Sequence, residues 1–439
     1  MSVSVFSGVD PGDPSLQLAG DVEIRVDGDG RLRTLVAVPT TSSSSRVTSP
    51  APDWPSLFAE AGLDITRWAP VEPRSIPSFY ADTRAAWQGS LPDAPAVPVR
   101  IEAAAFQGRP ITFDIVGPWT SQSPGIALRS GPVFLTDFTS FLGLAVVVVI
   151  LVGGGLFFAR QNLRIGRGDR RGATRLMLLV LATWSIAWML IEHHVAAVGE
   201  GLLYVVAAGA FCSAVGLLWL FYIAVEPFVR RRWPHMLVSW TRALSGDWRD
   251  PLVGRDVLIG CAAGVASMCL FDVGRLVISW QGREALPITP DWNMFNGTSP
   301  FVGALLGQFA SGIFVGLAEL FVLFLFRVVL RRDWAAAALY VLMTGSDLYW
   351  FAPSWVNVPL AVVSGLLAVV VLMRIGLVAN VILFFLSNVF LLSPMTLNTS
   401  VWYASAGYVA FLVVVAIALY GFKTSLGGRP LLAGAGVED

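Results

Sequence analysis

Charge is what this sequence most lacks. Asp, Glu, Lys and Arg make up 14% of its 439 residues, against 55% hydrophobic residues, whereas an ordinary soluble domain carries about 25% charged residues. A soluble globular fold is thereby excluded for most of the chain. The 30 basic and 30 acidic residues cancel, so net charge points to no nucleic acid and no acidic partner. Histidine is nearly absent: His193, His194 and His235 are followed by none. The three cysteines, Cys212, Cys261 and Cys269, all fall in apolar segments and spell neither a disulfide framework nor a CxxC metal site. They read as small core hydrophobes. Of the basic residues only Lys423 is a lysine, and GxSxG does not occur. The sequence therefore assigns no catalytic residue, no metal ligand and no cofactor.

Apolar runs of 18 or more residues, by contrast, recur after residue 132. A helix needs about 20 such residues to cross a hydrocarbon core. The expected fold class is a polytopic all-α membrane bundle preceded by a small α+β extracytoplasmic domain. Nine spans are predicted, near 134–159, 173–192, 201–226, 256–279, 301–329, 335–352, 357–373, 375–395 and 401–421. The bundle fills 133–422, with an amphipathic loop at 227–255, and 423–439 is a tail. Alternate connections differ sharply in charge. One set, tail included, holds 18 basic residues; the other holds at most Arg275 and Arg283. By the positive-inside rule the first set is cytoplasmic, which places the N-terminal domain outside and the C-terminus inside.

Residues 1–132 are mildly acidic, with 14 acidic and 10 basic residues. DVEIRVDGDGRLRTLVAVP (Asp21 to Pro39) alternates apolar and polar residues around Asp-Gly-Asp-Gly, a hairpin pattern. Asp21, Asp27 and Asp29 serve that turn, since the terminal Glu and spaced oxygens of a calcium loop are missing. PDWPSLFAEAGL predicts a short helix capped by Asp53. VPVRIEAAAFQGRPITFDIVGPW predicts a second hairpin turning at Gln107-Gly108. Trp54, Trp68, Trp87, Phe106 and Trp119 are candidate core or membrane-facing aromatics. Met1 to Gly8 has neither the basic n-region nor the apolar core of a signal peptide. Export then requires either a first span acting as a reverse anchor or, the reading preferred here, an earlier span preceding this chain.

The basic, Trp-rich stretch from Val225 to Asp256 lies between two apolar segments. Glu226 and Arg230 are spaced to pair across one helical turn, and Pro227 and Pro234 are expected to break the helix as it leaves the bilayer. HMLVSWTRAL then sets Met236, Leu237, Trp240 and Leu244 on one side, with Arg242 elsewhere and Gly246 ending the element. That suits an amphipathic helix in the headgroup region. Arg164, Arg167, Arg170 and Arg171 in the preceding basic loop, with Arg230, Arg231, Arg232 and Arg242 here, are expected to face anionic lipid headgroups. A nucleic-acid patch is the weaker reading, because membrane attachment already accounts for the charge.

YIAVEPFVRRRWPHMLVSWTRALSGDWRDPLVGRDVLIG, together with ARQNLRIGRGDRRGATRL, IEHHVA and ALYGFKTSLGGRP, resembles the membrane-embedded C-terminal half of a group of bacterial membrane-linked serine/threonine protein kinases. The resemblance extends upstream through PDWPSLFAEAGLD and FYADTRAAWQGSLPDAPAVPVRIEAAAFQGRPITFDIVGPWT. It implies a bacterial inner-membrane protein, a kinase domain or kinase partner, and a sensory role for the bundle. It also implies that this chain begins inside the extracytoplasmic domain. Kinase chemistry itself is not expected here. A kinase needs a strand lysine, an HRD-type loop and a DFG aspartate, and Lys423 is the only lysine. GRGDRRG follows an apolar span rather than a strand, so it is a basic loop and not a phosphate cradle. Glu319 and Arg327 in span five lack the second Glu and the later histidines of a CAAX-type intramembrane peptidase.

Polar residues at costly depths remain. Glu192, His193 and His194 cap the outer end of span two. Asp272 and Arg275 lie three apart in span four, Glu319 is mid-membrane in span five, and Asp347 sits in span six. Such residues usually face a bundle interior or a water-filled cavity, so these seven are the candidate pocket. The bland readings are interfacial histidines, a self-compensating Asp272–Arg275 pair, a Glu319 kept protonated by burial, and an Asp347 bonded by Thr344 or Ser346; Glu319 is the hardest to dismiss, because no interface is near it. The leading expectation is a non-catalytic membrane sensor or scaffold. The alternative is a small-molecule or ion transporter using the intramembrane acids.

Overall fold

A computed structural model of the chain describes residues 16, 18–40, 50–92, 94–117, 133–192, 194, 198–282, 290–351 and 355–428. They form two compact units, one built on a sheet and one on helices.

In the sheet unit, strands β1 (Val22–Val26) and β2 (Leu32–Ala37) form the first hairpin, with Asp27 accepting bonds from the Asp29 and Arg31 amides across the turn. Helix α1 (Trp54–Glu60) follows, and Asp53 caps it by accepting from the Ser56 amide at 3.3 Å, as its sequence position predicts. Strands β3 (Ala69–Val71), β4 (Thr83–Leu91), β5 (Ala94–Phe106) and β6 (Arg109–Val116) complete one antiparallel sheet in the order β1-β2-β6-β5-β4-β3. The β5–β6 hairpin turns at Gln107 and Gly108, both with positive φ. Phe58 from α1 is buried against the sheet, meeting Trp68, Trp87 and Phe113 edge-on at ring distances of 5.1–6.0 Å. Burying such a ring contributes about 1.5–3 kcal/mol. Trp119 lies outside the described residues.

The helical unit comprises α2 (Val133–Arg164), α3 (Arg170–Ile191), α4 (Val198–Arg232), α5 (Val238–Ser245), α6 (Pro251–Trp280), α7 (Thr298–Leu330), α8 (Asp333–Phe351), α9 (Val358–Val370), α10 (Leu377–Leu392) and α11 (Ala404–Ser425). Among the described residues, six helices are long and apolar enough to cross a membrane: Arg170–Ile191, Gly201–Arg232, Pro251–Trp280, Thr298–Leu330, Val358–Ile375 and Ala404–Ser425. The chain is thus mostly helical, with candidate membrane-spanning helices and a small N-terminal sheet. Helix α10 differs from the rest. Its 16 residues span only about 24 Å, and ten of them are buried against α6, α7 and other neighbours.

The Arg-rich stretch departs from its sequence reading in two ways. Pro227 does not break α4, which runs through it to Arg232; only Pro234 follows a break. Pro227 has no amide hydrogen to give the Ile223 carbonyl one turn back. Asn162 of α2 supplies the donor instead, its Nδ2 bonding the Ile223 and Ala224 carbonyls at 2.9 and 3.1 Å. Within a membrane such a freed carbonyl needs a partner from elsewhere in the protein. The amphipathic element, in turn, points its apolar side into protein. A 3-10 turn at Pro234–Leu237 leads into α5, which ends at Gly246 with φ 96°. Met236, Leu237 and Trp240 are buried, with α5 packed on α3, α6 and α10. The Glu226–Arg230 pair forms as its spacing predicts.

Candidate functional site

Glu319 lies on α7, the most apolar of the six candidate spans, eleven residues before Leu330, or about 16 Å along the axis. Its Oε2 accepts two hydrogen bonds from other helices. The Tyr340 hydroxyl of α8 donates at 2.5 Å, and Asn380 Nδ2 of α10 donates at 3.2 Å. Tyr340 and Asn380 are both fully buried. Three helices therefore meet at one carboxyl oxygen, and a hydrogen bond typically contributes about 0.5–1.5 kcal/mol net.

The same glutamate lines a cavity of about 350 Å³ enclosed by α6, α7, α8, α9 and α10. Its polar wall consists of Glu319, Ser267, Thr344, Ser364, Ser387 and Asn388; Phe271, Phe384, Leu367 and Leu391 supply much of the apolar side. Ser387 Oγ is buried and makes no hydrogen bond. Thr344 bonds the Tyr340 carbonyl at 3.0 Å.

Two local features set this geometry. Helices α8 and α9 cross at glycine: a Cβ on Gly345 would stand 2.4 Å from the Ala361 carbonyl oxygen, and one on Gly365 2.4 Å from that of Val341. Small residues of this kind allow helix backbones to touch, which brings Ser364 opposite the face carrying Thr344. At the Arg-rich end, α9 passes into a π-turn, Val371–Ile375, and then Gly376 with φ 137°. His235 Nε2 donates to the Met373 carbonyl at 2.7 Å, and a Cβ on Gly376 would lie 2.8 Å from the Met236 carbonyl. Asn380 sits one turn further, its amide bonded to the Gly376 carbonyl at 3.2 Å. The loop element thus fixes the start of the helix that carries a Glu319 partner.

Of the seven candidate pocket residues, the described lining of this cavity contains Glu319 alone. His193 and the Asp347 side chain lie outside the described residues. Glu192 caps α3, its amide bonded to the Trp188 carbonyl at 2.9 Å. His194 is exposed and stacks on Tyr204 at 5.6 Å, with Trp188 edge-on to it. Asp272 is exposed and Arg275 half-buried, and among the described residues no ion pair joins them. Tyr340, Asn380, Ser267, Ser364, Ser387 and Asn388 escaped a reading that looked for charge. Their signal was a polar side chain inside an apolar run, as in LVANVILFF.

The basic residues divide. Arg164, Arg167, Arg170, Arg171 and Arg231 are exposed. Arg230 pairs with Glu226 and lies 3.8 Å from Asp169. Arg232 bonds Asp333 at 2.9 Å, and Arg242 bonds Asp250 at 2.5 Å. Asp333 also receives Arg327 of α7. The Arg232 hydrogen bond, helped by Arg327 against slight burial, holds the Asp333 carboxyl below the usual carboxylate range. Among the described residues no three His, Cys, Asp or Glu come together as a metal site, and Cys212, Cys261 and Cys269 are free thiols.

Against known proteins, no family model matches the chain, and neither the curated proteins nor the solved structures provide a match.

Proposed function

We propose that this chain is a non-catalytic sensor of the bacterial inner membrane that binds a small ligand within its helical bundle. In this reading α2 and each later helix except α5 span the bilayer, nine in all, the sheet unit is extracytoplasmic, and the Arg-rich end and C-terminus are cytoplasmic. The carrying observation is Glu319, held by Tyr340 and Asn380 at the wall of a cavity between helices. An ionisable residue at membrane depth marks a functional site by default. Support for signal output comes from the His235–Met373 bond, which ties the α10 start to the Arg-rich loop. The resemblance to membrane-linked serine/threonine kinases makes a kinase domain the natural partner of that face, and the exposed arginines suit anionic lipid.

The second reading is transport, favoured by the discontinuity between α9 and α10, since broken helices often flank transporter sites. Flux assays on reconstituted full chain separate the two. A sensor shows saturable ligand binding without flux, whereas a transporter shows flux that Glu319→Gln abolishes. Absence of both binding and flux across a broad small-molecule screen refutes a ligand-binding bundle.

A further inference from the structure

We infer that two copies of this chain associate edge to edge through β1, their sheets joining into one across a two-fold axis at Ile24; this goes beyond the ligand-binding reading and does not rest on it. The strand order puts β1 at the margin of the sheet, with β2 as its neighbour among the described residues. Val22, Ile24 and Val26 are 54%, 58% and 55% exposed. They lie on the face that carries the core, since Ile24 pairs with Leu35, Leu35 with the buried Phe113, and Val26 with the buried Leu32. The apolar face therefore continues beyond the buried core onto an exposed margin. Glu23 and Arg25 occupy the other face, where they form an ion pair at 2.6 Å. An exposed apolar edge strand is a ready template for another strand.

The backbone is disposed the same way. The Val38 amide bonds the Asp21 carbonyl at 2.8 Å, and the Asp27 amide bonds the Arg31 carbonyl at 2.9 Å. Hydrogen-bonded and non-hydrogen-bonded pairs alternate along an antiparallel ladder, so Asp21, Glu23, Arg25 and Asp27 turn their backbone groups toward β2. Val22, Ile24 and Val26 turn theirs outward. The register shift between Arg25 and Val26 leaves this alternation intact, because the extra residue, Arg33, belongs to β2.

Charge then selects the partner and the register. A symmetric antiparallel pair that keeps most of the strand centres on Glu23, Ile24 or Arg25. Centring on Glu23 sets two glutamates face to face, and centring on Arg25 sets two arginines; like charges directly opposite are destabilising. Centring on Ile24 instead sets Glu23 of each copy opposite Arg25 of the other. Ile24 then meets Ile24 of the second copy and Val22 meets its Val26, each pair exchanging both backbone hydrogen bonds. Opposite-charge and β-branched cross-strand pairs of this kind stabilise a sheet. The strand VEIRV is thus complementary to itself read backwards, and a second copy of this chain is the partner it fits.

Five paired residues a side make a contact below the ~1,200 Å² of a standard interface, so the association is weak in solution and is measured with the full chain confined to one bilayer. Donor- and acceptor-tagged chains are reconstituted in liposomes, and energy transfer is followed over a series of lipid dilutions. Glu23→Arg alone and Arg25→Glu alone each set like charges opposite and are expected to weaken association at least about tenfold; mixing the two variants restores opposite charges and is expected to return it to within about threefold of wild type. Ile24→Pro removes an outward amide and spares the ladder to β2, a place where an edge tolerates proline. It is expected to reduce transfer to the level of random mixing with the near-UV dichroism unchanged, and the charge mixture decides alone should this variant disturb the fold. Register is read by oxidative cross-linking, with the wild type and its native free thiols as the blank. Ile24→Cys is expected to couple to itself, whereas Val22→Cys and Val26→Cys couple only when mixed, since Cα atoms about 5.5 Å apart suit a disulfide. Transfer at the random level in the wild type overturns the inference. So does association that survives Ile24→Pro and both charge variants, which assigns it to another surface, and so does self-coupling of Val22→Cys, which assigns another register.

Discussion

The repair of α4 by Asn162 makes a quantitative claim. Pro227 leaves the Ile223 carbonyl without its helical donor, and Ile223 is fully buried, so water cannot substitute. Replacing Asn162 with Leu keeps the bulk and removes the 2.9 and 3.1 Å bonds to the Ile223 and Ala224 carbonyls. A buried acceptor left unsatisfied costs about 1–3 kcal/mol; the Ala224 carbonyl keeps its place in the helix ladder, so most of that loss belongs to Ile223. The diagnostic measurement is a double-mutant cycle with Pro227→Ala, which returns an amide hydrogen to the position four residues after Ile223. In that background Asn162 has little left to repair, and Asn162→Leu is expected to cost at least about 1 kcal/mol less than in the wild type. Equilibrium unfolding of the full chain in mixed micelles, followed by helical circular dichroism, gives all four corners. Independent sites add within about 0.3–0.5 kcal/mol. Equal costs in the two backgrounds, within that margin, refute the idea that Asn162 exists to serve the proline.

Three other perturbations follow from the packing. Gly365→Ala places a methyl against the Val341 carbonyl and is expected to cost about 1–3 kcal/mol, seen as a lowered Tm, while Gly209→Ala, with open space around it, leaves Tm unchanged or slightly raised. In the sheet unit, Glu102 is 4% exposed and pairs with Arg100 at 3.0 Å while also accepting from the Arg74 amide. Arg100→Met strands that carboxylate and is expected to lower stability by about 3 kcal/mol, read as earlier loss of the near-UV signal from Trp68 and Trp87. Asp333, held below the ordinary carboxylate range by Arg232 and then Arg327, contributes stability that is fully present above its unfolded pKa of about 3.9. That contribution is lost as pH falls through its lower folded value. Asp333→Asn is therefore expected to lower Tm modestly at pH 7, by less than about 1 kcal/mol because the carboxylate is 41% exposed. The gap from wild type closes as pH falls through and below 3.9.

Much of the architecture was legible because it is written in strong periodicities. Apolar run length located the long helices, and the Asp-Gly-Asp-Gly and Gln-Gly turns located both hairpins, since each carries its own local chemistry. Strand β4 was not recognised, because TRAAWQGSL alternates weakly and its pairing with β5 is a tertiary fact. Pro227 misled for a related reason. Proline ends helices in water, where the freed carbonyl is simply hydrated, but a neighbouring helix that brings an amide donor removes the penalty, and Asn162 lies 65 residues away in sequence. The apolar side of α5 was read correctly as a face, yet a face does not say what covers it. Here the cover is α3, α6 and α10 rather than lipid alone.

The site was half legible, and the half that was missed has a common chemistry. Reading for charge found Glu319, because a carboxylate in an apolar run is conspicuous. It passed over asparagine, whose amide is nearly as costly to bury unbonded. Asn162 donates to two carbonyls of α4, Asn357 donates to the Gly274 carbonyl of α6 at 3.1 Å, and Asn380 donates to Glu319. In each case the amide crosses from one helix to an acceptor on another. At membrane depth a backbone acceptor freed from its own helix is satisfied by neighbouring helices, and an uncharged donor does so without importing a second charge. Around Glu319 the same economy holds: Tyr340 and Asn380, two uncharged donors from two neighbouring helices, fix the carboxyl group in place.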